Sequence, residues 1–374
     1  MDDRSMFPGD AGETAPGGEG QDAARPCGYT SGVKTRISFL GFRHGHVRDV
    51  YRRARERPDL EIVACSEEDA AVCAALEREG AVKVTHRDHR KLLATVECDA
   101  VVVGAVFGRR GAIIADALAA GRHVLTDKPA CTSLAELDRI EELARRHGRA
   151  VGMMLEMRDA GVFIGMRRLV RDGAIGEVRA VAFGGQHPLL SATRPAWYHE
   201  EGCHGGTIND VAIHAIDMIP WVTGLRFTRV VAAREWQRGV PRGSHFKNAA
   251  QLMLAMENEA GVIGDVSYIS PDSHGYSLPL YWRFTIWGSG GVLETSLNAR
   301  EITLFKDGES SGTALPPGPS DPGGYLESFL REARGERGAS AEGARLTMAD
   351  VFAASRVALR AQETATRGLR DVEV

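Results

Sequence analysis

Apolar and polar positions follow two different rhythms along the chain, and the change falls near residue 155. Before it, short apolar runs alternate with amphipathic stretches of helical period. Residues 36–40 form a short apolar run ending at Gly41, and 46–57 follow as a helix with Pro58 beyond its end. Residues 61–65 predict a second strand, 67–79 a helix closed by Gly80, and 86–94 a short helix. Residues 100–104 are apolar almost throughout, as a strand buried on both faces requires. A helix over 110–120, a strand over 123–126, a helix over 134–147 and a strand over 150–155 complete the series. Strands alternating with helices imply crossover connections, hence an α/β architecture with a doubly wound parallel sheet.

The second half reads differently. Residues 161–171 predict a helix, 178–187 a strand, and a glycine pair opens a helix over 205–222. Six extended runs follow, at 230–237, 250–256, 262–269, 281–287, 292–296 and 302–305, separated by turn residues. That is the pattern of a large, mostly antiparallel open sheet. Helices over 325–333 and 348–366 close the chain, and the last is expected to pack back on the first domain. The expected organisation is a disordered tail over 1–34, a nucleotide-binding domain over 35–156 and a substrate and oligomerisation domain over 157–374. The tail is rich in Gly, Pro, Ala, Asp and Glu and has too few aliphatic residues to offset its ordering entropy.

Composition narrows the class. At 43% hydrophobic and 26% charged residues, the 374-residue chain has ample core material. Its 46 basic and 50 acidic side chains give a net charge of −4, so no overall field favours nucleic acid or an anionic membrane. No apolar stretch approaches the roughly 20 residues of a spanning helix. The first thirty residues lack the basic-then-apolar order of a secretory signal. Cys27, Cys65, Cys73, Cys98, Cys131 and Cys203 are scattered, as expected of reduced thiols in a cytoplasmic protein.

Four segments could carry chemistry. The turn Gly41-Phe42-Arg43-His44-Gly45-His46 follows the first strand, where backbone N–H groups can cradle a pyrophosphate. Gly41 fits the first position of the Gly-x-Gly-x-x-Gly fingerprint, but Arg43 and His46 fill the second and third. Taken alone, an ordinary strand-to-helix turn accounts for it equally well. At the end of the second strand Ser66 precedes Glu67 and Glu68. A serine there admits NADP. Two carboxylates with no Arg or Lys next to them would repel a 2′-phosphate and favour NAD. Both glutamates could equally be charges at a helix N-terminus. Thr126-Asp127-Lys128-Pro129 lies at a strand's carboxyl end, facing the ligand crevice of such a sheet. Asp210, His214 and Asp217 fall at i, i+4 and i+7 of an apolar helix. An imidazole beside a carboxylate there is a general base or a buried structural pair.

Asp127-Lys128-Pro129, after Gly121 to Thr126, resembles the Glu-Lys-Pro motif of the Gfo/Idh/MocA oxidoreductases. The run from Gly205 to Asp217 resembles that family's glycine pair followed by Asp-x-x-x-His, and Arg158, residues 172–178 and Trp197 match its usual surroundings. The resemblance covers residues 35–367. It departs from the pattern at Asp127, in place of Glu, and at the altered glycine turn. It implies a Rossmann domain and a second α/β domain whose open sheet pairs subunits into homodimers or homotetramers. It also implies hydride transfer between NAD, or NADP, and a CH–OH carbon of a sugar, polyol or related molecule.

By position, Gly41, Phe42, Arg43, His44, Gly45, Ser66, Glu67, Ala105, Asp127 and Lys128 would touch the cofactor, and Arg158, Trp197 and His214 the substrate. Lys128, Asp210 and His214 would be catalytic: His214 as acid/base, Asp210 orienting it, and Lys128 steadying the alkoxide. Replacing His214 by Ala should then lower turnover about 10²–10⁴-fold. Two alternatives rest on the same residues. One is a zinc hydrolase or lyase using His199, Cys203, His204, Asp210 and His214. The other is a non-catalytic nucleotide sensor on the same fold. In the hydride-transfer reading itself no metal is expected.

Overall fold

The computed structural model describes residues 34–336 and 345–374. The expectations for the tail, apart from Lys34, and for Cys27 lie outside the described residues. The first half builds β1 (Thr35–Leu40), α1 (Gly45–Glu56), β2 (Leu60–Ser66), α2 (Ala70–Glu79), α3 (His89–Thr95), β3 (Ala100–Val103), α4 (Phe107–Ala119), β4 (His123–Thr126), α5 (Leu134–His147) and β5 (Val151–Met153). Its five strands are all parallel, in the order β2-β1-β3-β4-β5. The order reverses between β1 and β3, and a ligand crevice opens at the carboxyl ends of strands flanking such a switch point.

One boundary differs from expectation in an informative way. Glu67, Glu68 and Asp69 are not helical. Asp69 caps α2 by accepting from the Ala71 and Val72 amides, because a short carboxylate satisfies the orphan N–H groups of a first turn. Glu67 is thereby left outside the helix and turns inward, fully buried.

The second half builds α6 (Gly161–Arg171), β6 (Val178–Pro188), α7 (Ile213–Thr223), β7 (Phe227–Trp236), β8 (Ala249–Met256), β9 (Gly261–Ser270), β10 (Arg283–Gly288), β11 (Gly291–Ser296), β12 (Ile302–Lys306), β13 (Thr313–Leu315), α8 (Gly324–Ala333), α9 (Met348–Arg367) and β14 (Arg370–Glu373). Nine strands form one sheet, ordered β13-β12-β11-β10-β6-β9-β8-β7-β14. Only β6 and β9 pair in parallel, so the sheet is mostly antiparallel. The edge strands β13 and β14 were not foreseen: both are short and largely exposed, so neither carries an apolar run.

The closing helices return to the first sheet. α8 packs on β4 and β5, where Phe329 lies so close to Gly152 that a side chain at 152 would meet it at 2.9 Å. α9 is started by a Thr347–Asp350 capping box and tied to α5 through Arg356, which bonds Asp138 and Glu141 at 2.8 Å each. A continuous core joins both sheets. The outer face of the large sheet is different. Met253, Ile263, Trp287 and Phe305, aligned through strand register, are 40–58% exposed.

Candidate active site

The crevice begins at Gly41, whose φ of +89° suits glycine and little else. A Cβ at that position would stand 2.9 Å from the Ala105 amide nitrogen, so the ends of β1 and β3 approach too closely for any side chain. Glu67 accepts from the Phe42 amide at 2.7 Å and the Asp69 amide at 2.9 Å. A buried carboxylate after the second strand is where a dinucleotide fold meets the ribose hydroxyls. Ser66 is buried beside it, its carbonyl accepting from the Gly41 amide at 2.8 Å. No Arg or Lys adjoins Glu67 and Glu68 in sequence, but the fold brings two arginines to them. Arg43 reaches Asp69 at 3.2 Å and Glu67 at 3.8 Å, and Arg109 reaches Glu68 at 2.5 Å. Both arginines come from other crossover units, so neighbours in sequence could not reveal them.

Asp127, at the end of β4, is fully buried. It takes Arg110 at 2.8 Å, the His44 Nδ1 at 2.9 Å and the His46 Nδ1 at 3.0 Å. Burial would push its pKa up, but Arg110 and the two imidazoles hold it well below the usual carboxylate range. Arg110 also donates to the carbonyls of Ala105, Lys128 and Pro129, at 2.6–3.0 Å. Burial lowers the His44 pKa. It also pulls on His46, but Asp127 and Glu156 outweigh it and leave His46 raised.

Lys128 points the other way. Its Nζ donates to Asp210 Oδ1 at 2.7 Å and to the Asp210 carbonyl at 3.2 Å. The second Asp210 oxygen takes His204 Nε2 at 3.0 Å and the Tyr268 hydroxyl. Burial opposes ionisation of Asp210, yet Lys128 and His204 keep its pKa well below the ordinary value.

The expected face of Asp210, His214 and Asp217 is corrected here. Residues 208–212 form a π-turn before α7. A π-turn holds more residues than an α-turn, so the i, i+4 count no longer aligns side chains. Asp210 therefore meets Lys128, His204 and Tyr268 rather than orienting His214. Asp217 bonds Arg158 at 2.5 and 2.8 Å, and Arg158 also reaches Asp350 at 3.4 Å. Arg158 is thus committed to pinning α7 against the start of α9, not to a substrate.

His214 is buried, and neither ring nitrogen has a hydrogen-bond partner. Burial and then the Lys128 charge hold its pKa well below the ordinary histidine value. Its ring lies edge-to-face with Trp282 at 5.7 Å. Trp282 precedes β10 with a φ of +52° and is fully buried, so it is not part of an alternating strand face with Trp287. His187 on β6 stands in the same aromatic group, its Nε2 bonded to Tyr281 at 3.1 Å, and burial lowers its pKa to about 3. Trp197 meets Phe107 edge-to-face at 4.8 Å, at the N-terminus of α4. A cleft of about 610 Å³ is lined by Ser133, Glu200, His204, Lys247 and Gln362, among others, but not by Lys128, Arg158, Trp197 or His214.

The five zinc donors of the alternative do not gather. His199 bonds Ser244 at 2.8 Å, Cys203 turns to Glu200 at 3.7 Å, and only His204 and Asp210 meet. The motifs had not pointed to Arg110, Glu156, Tyr268 or His187 as site residues, and His204 was noted only as a zinc donor. The one local signal is an arginine set among the apolar positions of α4.

Family comparisons bear on the two domains. Residues 36–155 match the oxidoreductase family with an NAD-binding Rossmann fold, and residues 163–294 match the GFO/IDH/MocA C-terminal domain. The chain belongs to the Gfo/Idh/MocA oxidoreductases. The Gfo/Idh/MocA relative inositol 2-dehydrogenase 2 of Saccharopolyspora erythraea is 30% identical over 216 residues, 57% of this chain and 59% of that protein. The chain spans only 56–59% of such inositol dehydrogenases. A Thermotoga maritima structure superposes with a TM-score of 0.76 at 25% identity, covering 91% of this chain and all (100%) of that one. An inositol dehydrogenase homolog from Azotobacter vinelandii, complexed with NAD+, gives a TM-score of 0.74 at 20% identity over 91% of this chain and 98% of that chain, which shows the shared fold. Among the described residues no helix is long and apolar enough to cross a membrane.

Proposed function

We propose that this oxidoreductase moves hydride between NAD and the CH–OH carbon of a sugar, polyol or related small molecule, with Lys128 and His214 at the reacting centre. One observation carries this: a buried, neutral His214 with both nitrogens unbonded stands under the charge of a lysine that is itself fixed by Asp210. The Gly41 cradle and the inward Glu67 fit the dinucleotide's pyrophosphate and ribose, and the inositol dehydrogenase relatives favour a polyhydroxylated substrate.

A bound nicotinamide supplies the hydride acceptor or donor. His214 takes the hydroxyl proton, because a neutral imidazole has a lone pair to offer. A lysine has three N–H donors. Two of Lys128's are directed at Asp210, and the third is left for the substrate oxygen, where it stabilises developing alkoxide charge. Asp210 keeps the ammonium charged and aimed, and His204 and Tyr268 hold Asp210. Glu67 favours NAD, while Arg43 and Arg109 leave room for NADP. The exposed apolar face of the large sheet supports pairing of subunits into a homodimer or homotetramer.

The test is a titration with NADH and with NADPH, read by energy transfer from tryptophan, followed by turnover on myo-inositol and a panel of aldoses. Saturable binding and turnover on one member are expected. Binding without turnover across the panel would favour a sensor, and no binding of either nucleotide would overturn the assignment.

A further inference from the structure

We propose that His44, His46 and Asp127 form a binding site for one divalent transition-metal ion of the zinc class. The inference does not rest on the hydride-transfer reading, although it shares His44 and Asp127 with the cofactor contacts of that reading. The three residues converge from two elements. His44 is the extended residue before α1 and His46 lies in its first turn, so their side chains project from one short turn. Asp127 follows β4. Their candidate ligand atoms all lie within 4.8 Å of one another, and the side chains are 13%, 17% and 0% exposed.

The donor set favours zinc chemistry. Two imidazole nitrogens and one carboxylate are the ligands of catalytic zinc, which keeps a further position open, whereas magnesium and calcium prefer oxygen alone. The geometry is close. The two Nδ1 atoms lie 2.9 and 3.0 Å from the Asp127 oxygens. Ligands around a tetrahedral zinc stand about 3.3 Å apart for bonds of 2.0–2.1 Å, so an opening of a few tenths of an ångström admits the ion. His44 Nδ1 is buried and, despite its closeness to Asp127, does not lie in hydrogen-bond geometry with it. Its close polar neighbour is the Asp127 carboxylate, 2.9 Å away, and an ion would bridge the two.

The surrounding groups match what a metal site needs. Metal-bound histidines donate their other ring N–H to a carboxylate, which fixes the tautomer. Glu156 is nine-tenths buried, and its Oε1 has no hydrogen bond and lies 3.7 Å from His46 Nε2. It is poised to orient His46 while Nδ1 faces the ion. Arg110 fixes the Asp127 carboxylate through Oδ2, at 2.8 Å. One replacement in the altered glycine turn thus gains a reason: His46, at the third glycine position, is a donor. The open position of the ion would take water.

The test uses the full chain, stripped with chelator and titrated with zinc against a chromophoric chelator, then with cobalt(II) followed by visible absorption. One zinc per chain and tetrahedral cobalt bands are expected. The His44→Ala/His46→Ala variant should lose both. Glu156→Gln, which leaves all three ligands in place, should weaken zinc about 10–100-fold. Thermal unfolding checks that each variant is folded. Absence of stoichiometric zinc in the wild-type chain overturns the proposal, and so does zinc whose affinity is unchanged in the folded histidine variants. If the histidine variant does not fold, the Glu156→Gln affinity decides in the same way. NADH binding, measured on the wild-type and Glu156→Gln samples, reports separately on the dinucleotide site.

Discussion

Asp127 and Asp210 are both fully buried carboxylates with three partners each, yet their partners differ in kind. Asp127, in the first domain, is matched to a guanidinium, that of Arg110, which cannot lose its charge and spends four of its five N–H donors on Asp127 and three carbonyls. Asp210, at the π-turn before α7, is matched to an ammonium with one proton to spare, a histidine and a tyrosine. The first arrangement fixes two strand ends and the turn. The second presents a charged donor to the crevice. Adjacent residues, 127 and 128, join the two, so a single strand end serves both domains.

Arg110→Met should break the first cluster and show the largest loss of stability. A buried carboxylate left without its cation costs about 3–5 kcal/mol, measurable by urea unfolding. A loss below about 1 kcal/mol would mean the imidazoles alone hold Asp127. Lys128→Met acts on the second cluster and should lower turnover about 10²–10³-fold, the usual effect of removing one electrostatic donor. NADH affinity should change far less, and equal losses in both would make Lys128 a binding residue instead.

Gly41→Ala tests the crevice floor. Its positive φ costs about 1–2 kcal/mol for a residue with a Cβ, and the clash with Ala105 adds to that. Weaker NADH binding should accompany the loss. Unchanged binding would move the cofactor away from this turn.

The smallest effect is on pH dependence. His187 and His214 have lowered pKa values, so the unfolded chain binds more protons than the folded one. Their contribution is complete above an ordinary histidine pKa near 6.5 and is lost as pH falls below it. Each costs about 1.4 kcal/mol one unit below that value. His46, with its raised pKa, acts in the opposite sense, stabilising on the acid side and losing this as pH rises through its folded value. His44, whose pKa is also lowered, acts in the same sense as His187 and His214, so Tm should fall between pH 6.5 and 5. A flat profile would indicate that water reaches His187 and His214.

The parallel sheet was legible in the sequence because continuous apolar runs and helical periods are local signals. The large sheet was legible for the same reason, except for β13 and β14, whose short exposed strands have no pattern to read. Lys128 and His214, proposed at the reacting centre, stand out in the sequence through their motifs. Their partners do not. The π-turn shifts Asp210 from His214 to His204, and nothing in a period count announces an extra residue in a turn. Glu156, Tyr268 and Arg110 reach the site through tertiary packing alone. Arg158 looked like a substrate contact because the residue that claims it, Asp217, lies 59 positions away.

The central claim is that His214 moves the substrate proton. The most direct measurement compares wild type with His214→Ala in single-turnover hydride transfer, with NADH affinity determined on the same samples. The account predicts a rate about 10²–10⁴-fold lower with nearly unchanged NADH affinity. An unchanged rate would contradict it.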